Sequence, residues 1–173
     1  METTEKIVEA YCRYVLGWFT IPNIKCEGQY EIDLLAVEPK PNGVLNRYHI
    51  ESGVSISGSY SKLTAKDFSP DRLKVRVEQA GQRRTVGYFV HRKFGPSQII
   101  EKLKQYGFQE GKYAKVVVTW GWTDEAKTMA DEAGLVLWDF RELMKKVAER
   151  CSSEKTYFTD DTLRTLQLFV RST

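Results

Sequence analysis

Cysteine is scarce in this chain of 173 residues. Only Cys12, Cys26 and Cys151 occur, an odd number with no two close in sequence. Neither a disulfide framework nor a zinc site is indicated, and free thiols in a reducing cytoplasm are the expectation. No apolar run is long enough to span a bilayer, and the N-terminus lacks a signal-peptide pattern. Internal repeats and low-complexity tails are lacking as well. Ser55 and Ser57 have no base in a known triad order, so they read as ordinary strand residues rather than nucleophiles. What remains is 42% hydrophobic and 28% charged, a balance that suits one soluble globular domain over residues 1–173, and the order of its helices and strands makes that domain α/β.

The small net charge of +3 conceals an asymmetry. Residues 1–51 hold five Lys/Arg against eight Asp/Glu, whereas residues 72–104 hold nine against two. An acidic site beside a basic surface fits an anionic polymer together with a divalent cation.

Two carboxylates stand out within apolar surroundings. Gln29-Tyr-Glu-Ile-Asp-Leu-Leu-Ala-Val37 reads as a strand with Asp33 set into it, and Arg47 to Ser57 reads as its partner with Glu51 set into it. Glu38-Pro-Lys-Pro-Asn-Gly43 lies between them, a turn that predicts a hairpin. By the two-residue period Glu31, Asp33 and Leu35 share one face of the first strand, and His49, Glu51 and Gly53 share one face of the second. A buried ionised carboxylate is costly unless it is paired or holds a metal. Gly53 suggests a bulge or a close backbone approach. His49, on the face of Glu51, is more simply a hydrogen-bonded strand residue than a proton acceptor.

Elsewhere the patterns alternate between helix and strand. Ile7, Val8, Tyr11, Tyr14 and Val15 form a helical stripe ended by Gly17, with Glu9 at the stripe's edge. Residues 58–71 read as a loop. Leu73, Val75 and Val77 alternate with Lys74, Arg76 and Glu78, and a turn at Ala80-Gly-Gln82 precedes a return strand. This predicts a basic β-hairpin over about 72–93 that displays Lys74, Arg76, Arg83 and Arg84, with Arg92 and Lys93 beyond, able to lie along a nucleic-acid backbone. Tyr113 to Thr119 and Leu135 to Trp138 read as buried strands, joined through a helix capped by Thr123 and ended by Gly134 into a right-handed βαβ unit. Asp139 and Glu142 begin another helix, and a last amphipathic helix runs over about 159–170. Trp120 and Trp122 flank Gly121 at a strand's C-terminal end and read as core or rim packing rather than base-stacking platforms.

The order of these elements carries a resemblance. A helix with Glu9, a strand with Asp33, a strand with Glu51, then Lys115-Val-Val-Val-Thr119 and Trp122-Thr-Asp-Glu-Ala-Lys-Thr-Met-Ala-Asp-Glu-Ala-Gly-Leu-Val-Leu-Trp-Asp139 before a closing helix resembles the PD-(D/E)XK nuclease superfamily. Mrr-type restriction endonucleases and archaeal Holliday-junction resolvases are the members it is most similar to. The resemblance covers about residues 5–150 with a break near 58–95, and residues 113–147 carry most of it. It implies a restriction-endonuclease-like mixed sheet flanked by helices. It implies also that Asp33 and Glu51 bind Mg²⁺ or Mn²⁺, with Glu9 as a third, outer carboxylate, and that the substrate is DNA. Cutting two strands takes two sites, so a homodimer is a further implication.

The chain departs from the family pattern at one position. The pattern ends in a lysine two residues after the Glu, and Gly53 stands there. Either Lys25, Lys62, Arg92 or Lys93 supplies the cation from another element, or the fold is kept and cleavage is lost. The second case leaves a catalytically degenerate relative that binds nucleic acid or a partner protein.

Overall fold

The computed structural model describes residues 2–54 and 62–172. The chain begins with helix α1 (Thr3–Ala10), which runs on through a π-helical stretch at Tyr11–Val15 and stops at Gly17, whose φ is +73°. Strands β1 (Phe19–Lys25), β2 (Glu31–Pro39) and β3 (Leu45–Ser52) follow as an antiparallel meander. Between β2 and β3 the expected turn forms, closed by Lys40 N–H donating to the Val44 carbonyl at 2.8 Å.

The segment expected to be a basic β-hairpin is helical instead. A 3-10 turn at Pro70–Lys74 leads to α2 (Arg76–Gln82), then to α3 (Val86–Tyr88) and a π-helical continuation at Phe89–Phe94. The alternation of Leu73, Val75 and Val77 misled because a period of two buries a face only against a sheet. Here the far side of β3 is taken by a later strand, and Val77 is 88% exposed. Arg, Glu, Gln and Ala within Arg76–Gln82 favour helix on their own. The part of the second acidic strand expected beyond Val54, together with the serines at 55 and 57, lies outside the described residues.

The remainder is regular: α4 (Ser97–Gln105), β4 (Ala114–Thr119), α5 (Asp124–Glu132), β5 (Leu135–Asp139), α6 (Phe140–Ser153) and α7 (Asp161–Ser172). The Thr123 hydroxyl accepts from Ala126 N–H to cap α5, and the Asp139 carboxylate accepts from Arg141 N–H to cap α6. The five strands lie in sequence order in one mixed sheet, with β3, β4 and β5 parallel.

Helices cover both faces of the sheet, giving the α/β architecture expected. On one face Leu34, Ile50, Val116 and Val118 pack against Ile7 and Val8 of α1, Leu143 and Val147 of α6 and Leu163 of α7. On the other, Val117 packs with Val86, Phe89, Phe94 and the alanines of α5, while Leu35 packs with Ile99 and Leu103 of α4. Full burial of such aliphatic and aromatic side chains contributes about 1.5–3 kcal/mol each. Among the described residues no helix is long and apolar enough to cross a membrane.

Candidate metal and nucleic-acid site

The site lies where two strands part. The β2–β3 ladder ends at Leu34 opposite Ile50. Beyond it β2 stays with β1 while β3 stays with β4 as far as Ser52. Asn23, with φ +53°, is passed over in the β1–β2 register opposite Asp33. The fork leaves backbone amides of β2 and β3 free of the ladder, and the carboxylates use them. Ser52 N–H donates to Asp33 Oδ2 at 2.8 Å, and Asp33 N–H donates to Glu51 Oε1 at 3.3 Å. Each acid is thus held by the strand that carries the other.

A cation stands between them. Lys93 Nζ is 3.0 Å from Asp33 Oδ1 and 2.5 Å from Glu51 Oε2. Lys93 belongs to the π-helical stretch that begins at Phe89, a departure from the α-helix often found at functional sites. Gly95 ends that stretch, and a Cβ there would meet the Val90 carbonyl at 2.6 Å. Phe89, one turn before Lys93, packs over Gly53, where a Cβ would lie 2.7 Å from Phe89 Cζ. The aromatic ring fills the space in which a side chain at 53 would start, and the next turn of the same helix delivers the ammonium. Of the other candidate cations, Lys25 pairs with Glu31, Lys62 is exposed, and Arg92 lies over the Tyr30 ring at 5.4 Å.

Charge in this buried triad is unbalanced, with two acids against one base. Burial first, and then the charge of Glu51, push Asp33 up to about 7, with Lys93 acting in the opposite direction. Burial raises Glu51 as well, again opposed by Lys93. For Lys93 burial works against the ammonium, but Glu51 and Asp33 outweigh it and hold the group well above the ordinary lysine range. Burial pushes His49 down to about 3, so its ring is neutral.

Glu9, the third carboxylate that the resemblance implies, lies apart from the triad. Glu9 accepts from the Thr20 hydroxyl at 3.0 Å and faces Arg13 at 3.7 Å, away from the triad. Glu5, one turn earlier on α1, lines the same cleft as Asp33 and Lys93. Its pKa is raised by burial and, among charges, first by Asp33. Helical phase could not separate Glu5 from Glu9, since residues four apart share a face. The position of the strand ends along α1 makes the choice.

This cleft has a volume of about 540 Å³. α1 contributes Glu5 and its N-cap Glu2, the strand fork contributes Asp33 and Gly53, and α2 with its following turn contributes Arg76, Gln79, Arg83 and Arg84. Arg76, Gln79, Ala80 and Arg83 have the i, i+3, i+4, i+7 spacing of one helix face. Of the six basic residues expected to hold nucleic acid, Arg76, Arg83, Arg84 and Lys93 meet at the cleft. The other two do not: Lys74 pairs with Asp71 at 3.0 Å, and Arg92 is held by Tyr30. As a strand, the segment would have spread these side chains over two faces, whereas α2 and the turn after it bring three of the arginines to the cleft.

Carboxylate oxygens are the kind of donor a divalent ion takes, and here Lys93 Nζ lies between the two that the fork brings together. Asp33 Oδ1 and Glu51 Oε2 converge on Lys93 Nζ, at 3.0 and 2.5 Å, and Glu51 is wholly buried. Hard cations prefer such oxygens, and Mg²⁺ commonly takes one or two protein carboxylates and fills its other positions with water and phosphate. Among the described residues no group of three or more His, Cys, Asp or Glu side chains gathers to hold a metal, so the protein's share would be this pair. In comparisons with known proteins, no family model, no curated protein and no solved structure matches the chain.

Proposed function

We infer that the chain is a Mg²⁺- or Mn²⁺-dependent deoxyribonuclease with a PD-(D/E)XK-type centre whose lysine has moved from strand to helix. The observation that carries this reading is the meeting of Asp33, Glu51 and Lys93 at the fork of β2 and β3, with Phe89 over Gly53. Asp33 and Glu51 would hold the ion. A bound divalent ion lowers the pKa of its water and offsets charge on a phosphate. Lys93 sets a fixed ammonium beside the same carboxylates, where it can orient the attacking water and balance charge that grows on the phosphate oxygens. Glu5 adds a further acid at the cleft. Arg76, Arg83 and Arg84 supply the contacts that place a phosphodiester backbone in it. The alternative is a relative that binds nucleic acid or a protein without cleaving, and Lys93 beside the two acids supports the cleaving form over it. The three cysteines are free, which suits a reducing cytoplasm, and cleavage of both strands of a duplex would call for two chains acting as a homodimer.

Incubating the purified protein with supercoiled and branched DNA, in Mg²⁺, Mn²⁺ or EDTA, tests this reading. Nicking is expected with either ion and not with EDTA, and Glu51→Gln should abolish it. Cleavage that survives Glu51→Gln would show that the site lies elsewhere.

The arginine face of α2 has its own test. Arg76 forms no ion pair among the described residues, which leaves its charge for a phosphate. Arg76→Ala is expected to weaken binding of all DNA sequences alike and to reduce the slope of log K against log salt by about 1. Binding isotherms from low to moderate salt measure this, and an unchanged slope would remove Arg76 from the interface.

A further inference from the structure

His49 is wholly buried on β3, two residues before Glu51, and does not line the cleft. Its Nε2 is 2.7 Å from Glu51 Oε1, and its Nδ1 is buried with no hydrogen-bond partner among the described residues. Phe94 meets the imidazole edge-on with ring centroids 4.7 Å apart, and Tyr113 lies beyond at 6.4 Å. A ring sealed in this way cannot take a proton from water in the cleft. With Nδ1 bare, a neutral imidazole carries its proton on Nε2 and donates it to Glu51. The same carboxylate oxygen accepts from Asp33 N–H at 3.3 Å, so both hydrogen bonds fall on Oε1. Oε2 is left beside Asp33 Oδ1 and Lys93.

We propose that His49 is a positioning residue: its Nε2–H fixes the rotation of the Glu51 carboxylate and so presents Oε2, beside Asp33 Oδ1, as a ligand for the divalent ion. The inference rests on the metal-dependent reading above. Hydrogen bonds to ligating groups orient them, and losing one typically costs 10–100-fold in metal affinity or activity.

Mn²⁺ binding followed by the loss of its free EPR signal tests this in wild type, His49→Leu, His49→Gln and Glu51→Gln, with circular dichroism to confirm folding. His49→Leu, apolar and without a donor, should raise the half-saturating Mn²⁺ concentration about 10–100-fold. His49→Gln keeps an N–H and should stay close to wild type. In cleavage assays at fixed Mn²⁺, His49→Leu should lower kcat and leave KM for DNA unchanged. The chain has only two histidines, so ¹⁵N NMR of the wild type can follow the His49 Nε2–H directly, and that resonance should move as Mg²⁺ is added. Wild type that binds no more Mn²⁺ than Glu51→Gln overturns the proposal together with the nuclease reading. Wild type that binds, with His49→Leu binding equally well, overturns the proposal alone. If His49→Leu does not fold, a His49 resonance that stays fixed while Mg²⁺ saturates the site overturns it.

Discussion

Lys93→Met should reduce DNA cleavage by about 10²–10³ while leaving DNA affinity within a few-fold of wild type. The magnitude is that of removing one preorganised charge from a transition state. Affinity should hold because Arg76, Arg83 and Arg84 remain in the cleft. Single-turnover cleavage and filter binding on the same substrate separate the two effects. Lys93→Arg is not expected to restore the rate in full, since a planar guanidinium does not reproduce a compact ammonium held between two acids. Cleavage at the wild-type rate by Lys93→Met would mean that this lysine is structural only.

The same substitution has a consequence for stability. It takes the counter-ion from Asp33 and Glu51, both buried, and breaking a buried ion pair from one side costs about 3–5 kcal/mol. Protonation of an acid offers partial relief, and the pH dependence follows from that. Asp33 has a folded-state pKa of about 7, above its ordinary value. Between those two values the folded state binds the extra proton, so its stability is highest below the ordinary value and declines as pH rises through the folded one. Without Lys93, whose charge lowers the pKa of both acids, the decline should extend to higher pH. Denaturant melts in EDTA should therefore show Lys93→Met losing more stability between about pH 5 and pH 8 than wild type does. Parallel profiles would argue that the ammonium is not the main partner of the acids.

A lysine placed on the strand at position 53 should not substitute for Lys93. Gly53→Lys forces a Cβ to within 2.7 Å of Phe89 Cζ, and Phe89 is fixed in a buried cluster with Val86, Phe94 and Val117. Overpacking of this kind costs about 1–3 kcal/mol. In a Lys93→Met background, Gly53→Lys alone should leave cleavage at the Lys93→Met level and lower the denaturation midpoint. Gly53→Lys combined with Phe89→Ala opens the space, and part of the lost activity should return. If Gly53→Lys by itself rescued cleavage without loss of stability, the ring would not be what excludes a lysine from the strand.

How far these features were legible depends on the range over which each is set. Local patterns held. The prolines and Asn-Gly of the turn implied the β2–β3 hairpin, the two-residue period put Asp33 and Glu51 on compatible faces, and Thr123, Gly134 and Asp139 bounded α5, β5 and α6. Patterns that depend on a neighbour did not hold. The alternation at 73–77 looked like strand, but β4 already takes the free side of β3, and the segment pairs with neither outer strand of the sheet. Glu5 and Glu9 are equivalent within α1 and differ only in which one comes level with the strand fork.

By itself, then, the sequence determined the class of the domain and the pair of acids, because hydrophobic period and turn chemistry act over a few residues. The tertiary structure alone decided which cation meets those acids. Lys93 is 60 residues from Asp33 and reaches it only because a π-helical segment packs across the sheet with Phe89 against Gly53. A contact of that span is set by packing between elements, and no local pattern encodes it.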